Sequence, residues 1–137
     1  MYVWDAATFK PVRTFEKLPG FVQSVSFSAD GKLLAAASND VIEVWDLDSG
    51  KEVQTLRAPK DKVVYKTAFG ADGKVLVSGC SDGVVTVWDV ASGKPIDTIK
   101  HDKAVLGVSL SADAKVLTAT EEGELTHVYE LSAVVGK

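Results

Sequence analysis

The sequence has little cysteine, no long apolar run and no excess of positive charge. Its single cysteine, Cys80, cannot form a disulfide within the chain, which suits a reducing compartment. No stretch approaches the roughly 18 apolar residues of a membrane-spanning helix, and the start lacks a basic region followed by an apolar one. We therefore expect a cytoplasmic protein, or a nuclear one, that has no membrane partner.

Positive charge is also scarce. The 137 residues contain 15 Lys and Arg against 19 Asp and Glu, a net charge of −4. Affinity for nucleic acid depends on neutralising many phosphates, so this balance argues against a nucleic-acid partner. The composition, 46% hydrophobic and 25% charged with scattered Gly and Pro, is typical of a single globular domain over residues 1–137.

Helical patterning is missing as well. No segment keeps apolar residues at positions i, i+3, i+4 and i+7, and turn-forming residues recur about every eight to twelve residues. Between them lie short runs rich in β-branched residues, which predict strands. The clearest are residues 22–27, 33–37, 41–45 and 84–88. We predict an all-β chain.

Two motifs repeat in phase along the chain. A Val-Trp-Asp triplet and its variant Val-Tyr-Glu recur at spacings of 41, 43 and 41 residues, a period that fits a four-stranded unit. A five-residue turn motif, usually Asp followed by Gly, keeps the same phase and is suited to joining antiparallel strands. The triplets begin at Val3, Val44, Val87 and Val128, and the turns occupy 28–32, 70–74 and 111–115.

The repeats resemble those of the WD-repeat (WD40) family, whose units combine an early Gly-His pair, an Asp in the second hairpin turn and a closing Trp-Asp. The match is best over residues 73–89, whereas Leu18 and Lys60 stand where the first two repeats would carry the family's His. The resemblance implies a β-propeller of four-stranded antiparallel blades. It also implies structural roles for Trp4, Trp45, Trp88, Tyr129, Ser78 and Asp82, with the three tryptophans in the core. In the third repeat, His101, Thr118 and Glu122 match members of the family's buttressing network, although Tyr129 replaces its Trp.

The resemblance also implies a strand count. Each family repeat supplies strands d, a, b and c, so strand c at 2–4 and repeats at about 8–46, 51–89 and 94–130, before a tail at 131–137, make thirteen strands or three and a quarter blades. Propellers close with more blades. We expect the ring to be completed by further sequence of a longer protein, by more copies of this chain in a homo-oligomer, or by a partner that donates blades.

The predicted function is a noncatalytic protein-interaction scaffold. In this family the loops that join strands d to a and b to c share one rim of the disc, where proteins or peptides bind. Phe21 and Arg57 are the preferred contacts because their residue types are enriched among binding hot spots. The full candidate set on this rim is Phe21, Arg57, Lys60, Lys62, Lys100, His101, Asp102, Glu121 and Glu122. A self-assembling propeller subunit is the alternative.

An enzymatic reading has less support. His101 and Asp102 could activate Ser109 or Ser111, but His101 falls at the family's structural His position, and we predict no catalytic residue. The two His and one Cys lie far apart, and no Gly-rich loop matches a phosphate site, so we predict no metal and no cofactor. His127 is interpreted as an ordinary strand residue and Cys80 as a small buried one. An active site at the central channel is the remaining enzymatic alternative.

Overall fold

A computed structural model describes residues 1–16, 18, 20–123 and 125–131, which form thirteen β-strands. The prediction of an all-β chain with thirteen strands is confirmed. No helix in these ranges is long and apolar enough to cross a bilayer. The strands are β1 (Tyr2–Trp4), β2 (Pro11–Thr14), β3 (Val22–Phe27), β4 (Leu33–Ser38), β5 (Val41–Asp46), β6 (Glu52–Arg57), β7 (Val64–Phe69), β8 (Val75–Cys80), β9 (Val84–Asp89), β10 (Lys94–Lys100), β11 (Val105–Leu110), β12 (Val116–Glu121) and β13 (Thr126–Glu130).

The described strands form four antiparallel sheets, each a meander of sequence neighbours. Sheet 1 holds β1 and β2, sheet 2 holds β3 to β6, sheet 3 holds β7 to β10, and sheet 4 holds β11 to β13. Sheets 2 and 3 are complete four-stranded blades. We call the first strand of sheets 2, 3 and 4, which is β3, β7 or β11, the inner strand of its sheet. Each of these three strands carries a bulge near its start. The shared bulge shows that the sequence repeats are also structural repeats.

The sheets stack face to face and bury two apolar layers. Between sheets 2 and 3, small and branched side chains such as Ala35, Ile42 and Val44 meet Phe69 and Trp88. Between sheets 3 and 4, the opposite face of sheet 3 packs against the next sheet through Val77, Val85, Val87, Val105, Val108, Leu117 and Ala119. Alternate residues of β8 and β9 therefore serve different neighbours, which explains why these strands are buried almost throughout.

Sheet 1 contacts sheet 2 but contributes no residue to either apolar layer. The ring of Phe15 lies 4.8 Å from that of Trp45, and Arg13 Nη2 donates to the Asp48 carbonyl at 2.8 Å. The prediction that Trp4 is a core residue is wrong, because its side chain is 58% exposed. Beside it opens an apolar cleft of about 210 Å³, which is lined by Met1, Tyr2, Val3, Trp4, Val25, Phe27 and Leu34.

The repeated aspartates form the turns. Asp46, in the Trp-Asp pair, accepts hydrogen bonds on Oδ1 from the Ser49 amide at 2.7 Å and the Ser49 hydroxyl at 2.6 Å. Asp89 and Ser92 make the same contacts. Hydrogen bonds from the serine three residues later hold the pKa of both aspartates below its usual range. The Asp of each pair thus fixes a turn after its strand.

The indoles of Trp45 and Trp88 differ in their hydrogen bonding. Trp88 Nε1 donates to Ser78 Oγ at 2.9 Å, whereas Trp45 Nε1 is buried without a partner among the described residues. The strand register places Ala36 where the next sheet has Ser78, since Ala36 pairs with Glu43 as Ser78 pairs with Thr86. The first full repeat, residues 8–46, therefore lacks the acceptor that its tryptophan needs.

Replacing Ala36 with serine should supply this acceptor. We expect Ala36→Ser to raise the free energy of unfolding by about 1 kcal/mol, the typical worth of one buried hydrogen bond. Ala35→Ser is the matched control, because Ala35 is equally buried but faces the apolar layer of sheet 3, where a hydroxyl should cost about 1–3 kcal/mol. Urea unfolding of both variants checks this, and equal losses would contradict it.

Candidate functional site: a polar rim and a histidine cluster

One edge of the stacked sheets gathers the loops that lead into each inner strand and the turns that connect the two middle strands. We call this edge the rim. Backbone hydrogen bonds join its parts: the Ala58 amide donates to the Asp40 carbonyl, and the Val64 amide to that of Asn39, both at 2.8 Å. In the next repeat the His101 amide donates to the Gly83 carbonyl at 2.8 Å. The rim comprises the described residues among 16–21, with 57–63, 100–104, 39–40, 81–83 and 121–123.

Most of the predicted binding candidates are accessible on the rim. Phe21 is 86% exposed, and Lys62 is half-buried. His101 and Glu121 differ, because both side chains turn inward and are buried, so neither is available to a partner as the sequence predicted. The exposed candidates are Phe21, Arg57, Lys60, Lys100, Asp102 and Glu122.

A polar groove of about 400 Å³ crosses the rim between sheets 2 and 3. Two of its residues, Asn39 and Asp61, have φ angles of 53° and 62°, a left-handed conformation that Asn and Asp tolerate better than most residues. Gly20 lies against the side chain of Asn39, and Phe21 follows it in sequence. The groove presents charges of both signs and is lined by Asn39, Asp40, Lys60, Asp61, Lys62 and Val63.

Just inside the rim, sheet 4 holds a cluster that contains both histidines of the chain. His101 Nδ1 lies 2.7 Å from Glu121 Oε1, and His127 Nε2 lies 3.4 Å from the same oxygen. On the other side of the first ring, the Tyr129 hydroxyl lies 3.4 Å from His101 Nε2. The histidine ring centroids are 4.9 Å apart. We call His101, Glu121 and His127 the histidine cluster.

Sequence spacing missed this cluster because strand pairing assembles it. Ala119 pairs with His127 across the β12–β13 hairpin, and Glu121 follows two residues later on the same face of β12. The loop after β10 then brings in His101. The signal available in the sequence was the alternation of side chains along β12 and β13, which places Glu121 and His127 on the same face of the sheet. Within the described ranges, these three residues form the group whose donor atoms, all within 4.8 Å of one another, could hold a metal ion.

The buttressing network predicted for the third repeat is wrong in two of its members. Glu122 is exposed, and the neighbouring Glu121 bonds to His101 in its place. Thr118 points to the opposite face of the sheet, where its hydroxyl lies 2.7 Å from that of Ser109. The reason is the two-residue alternation of strand β12, which puts Thr118 and Glu121 on different faces.

The residues of the catalytic alternative do not come together. Asp102 is exposed, and the His101 ring pairs with Glu121 instead. Ser109 lies across the sheet, while the Ser111 hydroxyl donates to Asp113 at 2.6 Å within a turn. Burial raises the pKa of the Cys80 thiol, which disfavours the nucleophilic thiolate form.

The four-stranded blades, the turn aspartates and the buried Trp88 bonded to Ser78 define a propeller segment of the WD-repeat class. Residues 12–135 match the model of the family described as the NWD2 C-terminal beta-propeller. The chain belongs to this family.

Several curated relatives are similar over most of the chain. An Arabidopsis thaliana protein named cell division cycle 20.5, cofactor of APC complex, is 25% identical over 98% of this chain and 30% of that protein. The WD repeat-containing protein SL1-17 of Schistosoma mansoni is 24% identical over 94% of this chain and 43% of its own length. The small ribosomal subunit protein RACK1z of Oryza sativa subsp. japonica is 32% identical over 56% of this chain and 25% of its own length. The chain spans less than half the length of these relatives.

Proposed function

We propose that this chain is a noncatalytic interaction module that binds a protein or peptide partner through the rim. The observation that carries the proposal is Phe21, an aromatic side chain 86% exposed on the rim, which follows Gly20 where that residue lies against Asn39 of the polar groove. Removal of a large aromatic ring from water on binding supplies affinity, and nearby polar groups orient the partner. The propeller relatives named for the APC complex and the ribosomal subunit support a role in protein assemblies.

The structure of the rim favours tight binding. Loops usually lose conformational freedom when they bind, and this loss weakens affinity. Here the loop after β6 is hydrogen-bonded to the turn after β4 through Ala58 and Val64. In the same way, the loop after β10 is hydrogen-bonded to the turn after β8 through His101. The groove therefore holds its shape before the partner arrives.

The charges on the rim suggest the partner's chemistry. Arg57 ends β6, and Lys60 and Lys62 on the following loop line the groove together with Asp40 and Asp61. A segment with an apolar side chain for Phe21 and at least one acidic residue for the loop would complement this surface. The mixed signs would help to fix its direction.

Substituting the exposed ring tests the rim. Phe21→Ala should reduce retention of rim-bound partners by roughly 30-fold, the loss of a typical hot-spot residue. Phe9→Ala is the matched control, since Phe9 is an equally exposed aromatic in the β1–β2 turn, outside the rim. Partners captured by the chain and its two variants would be quantified by mass spectrometry. If Phe21→Ala retained the partners as well as Phe9→Ala does, the rim would not be the binding surface.

A second candidate is self-assembly, which the apolar cleft beside sheet 1 favours. We infer that a further copy of the chain packs on this end and covers Val25 and Phe27, which are about half exposed despite lying on an inner strand. Light scattering would then give at least a dimer at micromolar concentration, and Phe27→Asp, but not Phe9→Asp, would return the monomer mass. A monomer at every concentration would exclude this candidate. A complex whose extra mass comes from a different chain would instead indicate a blade-donating partner.

A further inference from the structure

We propose that the histidine cluster of sheet 4 binds a divalent transition-metal ion, with Zn²⁺ the preferred ion. The ligands are His101 Nδ1, one carboxylate oxygen of Glu121 and His127 Nε2. Two neutral imidazoles and one carboxylate form a donor set suited to zinc, and a single negative charge partly balances the dication. Both histidines of the chain lie in this cluster.

The distances are close to those that a metal requires. Ligand atoms about 2.0–2.1 Å from a tetrahedral zinc lie roughly 3.4 Å from one another. His127 Nε2 and Glu121 Oε1 are 3.4 Å apart. The hydrogen-bonded pair His101 Nδ1 and Glu121 Oε1, at 2.7 Å, must separate by somewhat more than half an ångström. The donors lie within 4.8 Å of one another, so small side-chain rotations complete the site.

The hydrogen bonding around His127 also favours a metal ion at this position. Its Nε2 atom is buried and has no hydrogen-bond partner among the described residues, although a carboxylate oxygen is only 3.4 Å away. An unsatisfied buried ring nitrogen costs free energy, because water no longer solvates it. A metal ion between His127 and Glu121 would give the nitrogen a partner.

Tyr129 supports the first histidine from outside the ligand set. Its hydroxyl lies 3.4 Å from His101 Nε2, on the far side of the ring from Glu121. Metal-binding histidines usually donate their second ring N–H to an oxygen, which fixes the tautomer. With metal bound, His101 would donate from Nε2 to Tyr129 and present the Nδ1 lone pair to the ion.

The position of the site indicates its role. The ligands come from the loop after β10, the end of β12 and the start of β13, so one ion would tie together a rim loop and two strands. The side chains of Glu121 in β12 and His101 in the loop are already buried, whereas the His127 side chain is 38% exposed. We assign the ion a structural function in sheet 4.

Zinc titration tests the proposal. The chain would be prepared without a histidine tag, stripped with a chelator and titrated with ZnCl₂ by calorimetry. We expect one ion per chain and, at about 100 times the dissociation constant, a rise in Tm of roughly 5–15 °C. Co²⁺ in place of zinc should give the visible absorption of a four-coordinate site with nitrogen and oxygen ligands.

The decisive variant is His127→Ala, because this half-exposed side chain can be removed with little disturbance of the core. It should weaken zinc binding by at least about 100-fold while the metal-free protein keeps its Tm within a few degrees. Glu122→Gln removes a neighbouring exposed carboxylate, and Cys80→Ser removes the thiol; both should bind zinc normally. Unchanged affinity in His127→Ala would mean that zinc binds elsewhere, and the absence of saturable binding would mean that the cluster is a hydrogen-bonded network only. Either result overturns the proposal.

Discussion

Gly83→Ala should lower the free energy of unfolding by about 3 kcal/mol or more, because two penalties coincide at this turn. Gly83 has a φ of 82°, a conformation that disfavours residues with a Cβ atom. An added Cβ would overlap the carbonyl oxygen of His101 and lie 2.7 Å from that of Lys103. Both obstacles are backbone atoms of a hydrogen-bonded loop, so the rim loop itself would have to move.

Gly31→Ala provides the control for this variant. Gly31 has a φ of 70° in the corresponding kind of tight turn, but an added Cβ would meet nothing within 4 Å. Only the conformational penalty remains, and we expect a loss of about 1 kcal/mol. Chemical denaturation of the two variants measures the difference. Similar losses would show that the rim loop yields easily, which would also argue against a groove formed before binding.

Trp88→Ala should cost about 3–5 kcal/mol, the range found when a large buried side chain is removed. Only 4% of Trp88 is exposed, and its ring fills the layer between sheets 2 and 3 while Nε1 donates to Ser78. The variant loses the packing of the ring and leaves a cavity between two complete blades. We expect a large fall in the denaturation midpoint, or failure to fold at 37 °C.

Trp4 offers a matched comparison at the same repeat position. Its side chain is 58% exposed on sheet 1, so Trp4→Ala should cost less than about 1 kcal/mol. The contrast tests whether burial, and not membership of the repeated triplet, determines the contribution of each tryptophan. If the two variants lost equal stability, the exposed face of sheet 1 would have to be covered in solution, as self-assembly requires.

The fold could be predicted because its signals are local. Asp46 and Ser49 form a turn within four residues of sequence, and short β-branched runs such as Val84–Asp89 predict strands without knowledge of their neighbours. The Val-Trp-Asp triplet and the turn motif, which repeat in the same phase, then predict the number of strands. Burial was harder to predict, since it depends on what packs against a face. Trp4 and Trp88 share a motif but not an environment.

The candidate site was predictable only in part. The loops of the rim follow from the order of strands within a repeat, and Phe21 and Arg57 stand out by residue type. The histidine cluster depends on register, because Glu43, Thr86 and His127 occupy one position in three successive repeats. The framework is therefore repeated while the chemistry at that position changes from carboxylate to hydroxyl to imidazole. Only three-dimensional pairing connects the last of these to His101.

The pairing of each described strand with its sequence neighbour has a consequence for folding. A sheet of this kind closes through loops of a few residues, so the entropy lost in forming it is small and little of the chain must be present before it forms. Sheets 2 and 3 can therefore act as a nucleus on which the outer sheets condense. Fluctuations should open the molecule from its two ends inward, so that the slowest amide hydrogen exchange is found in β8 and β9, which are covered on both faces.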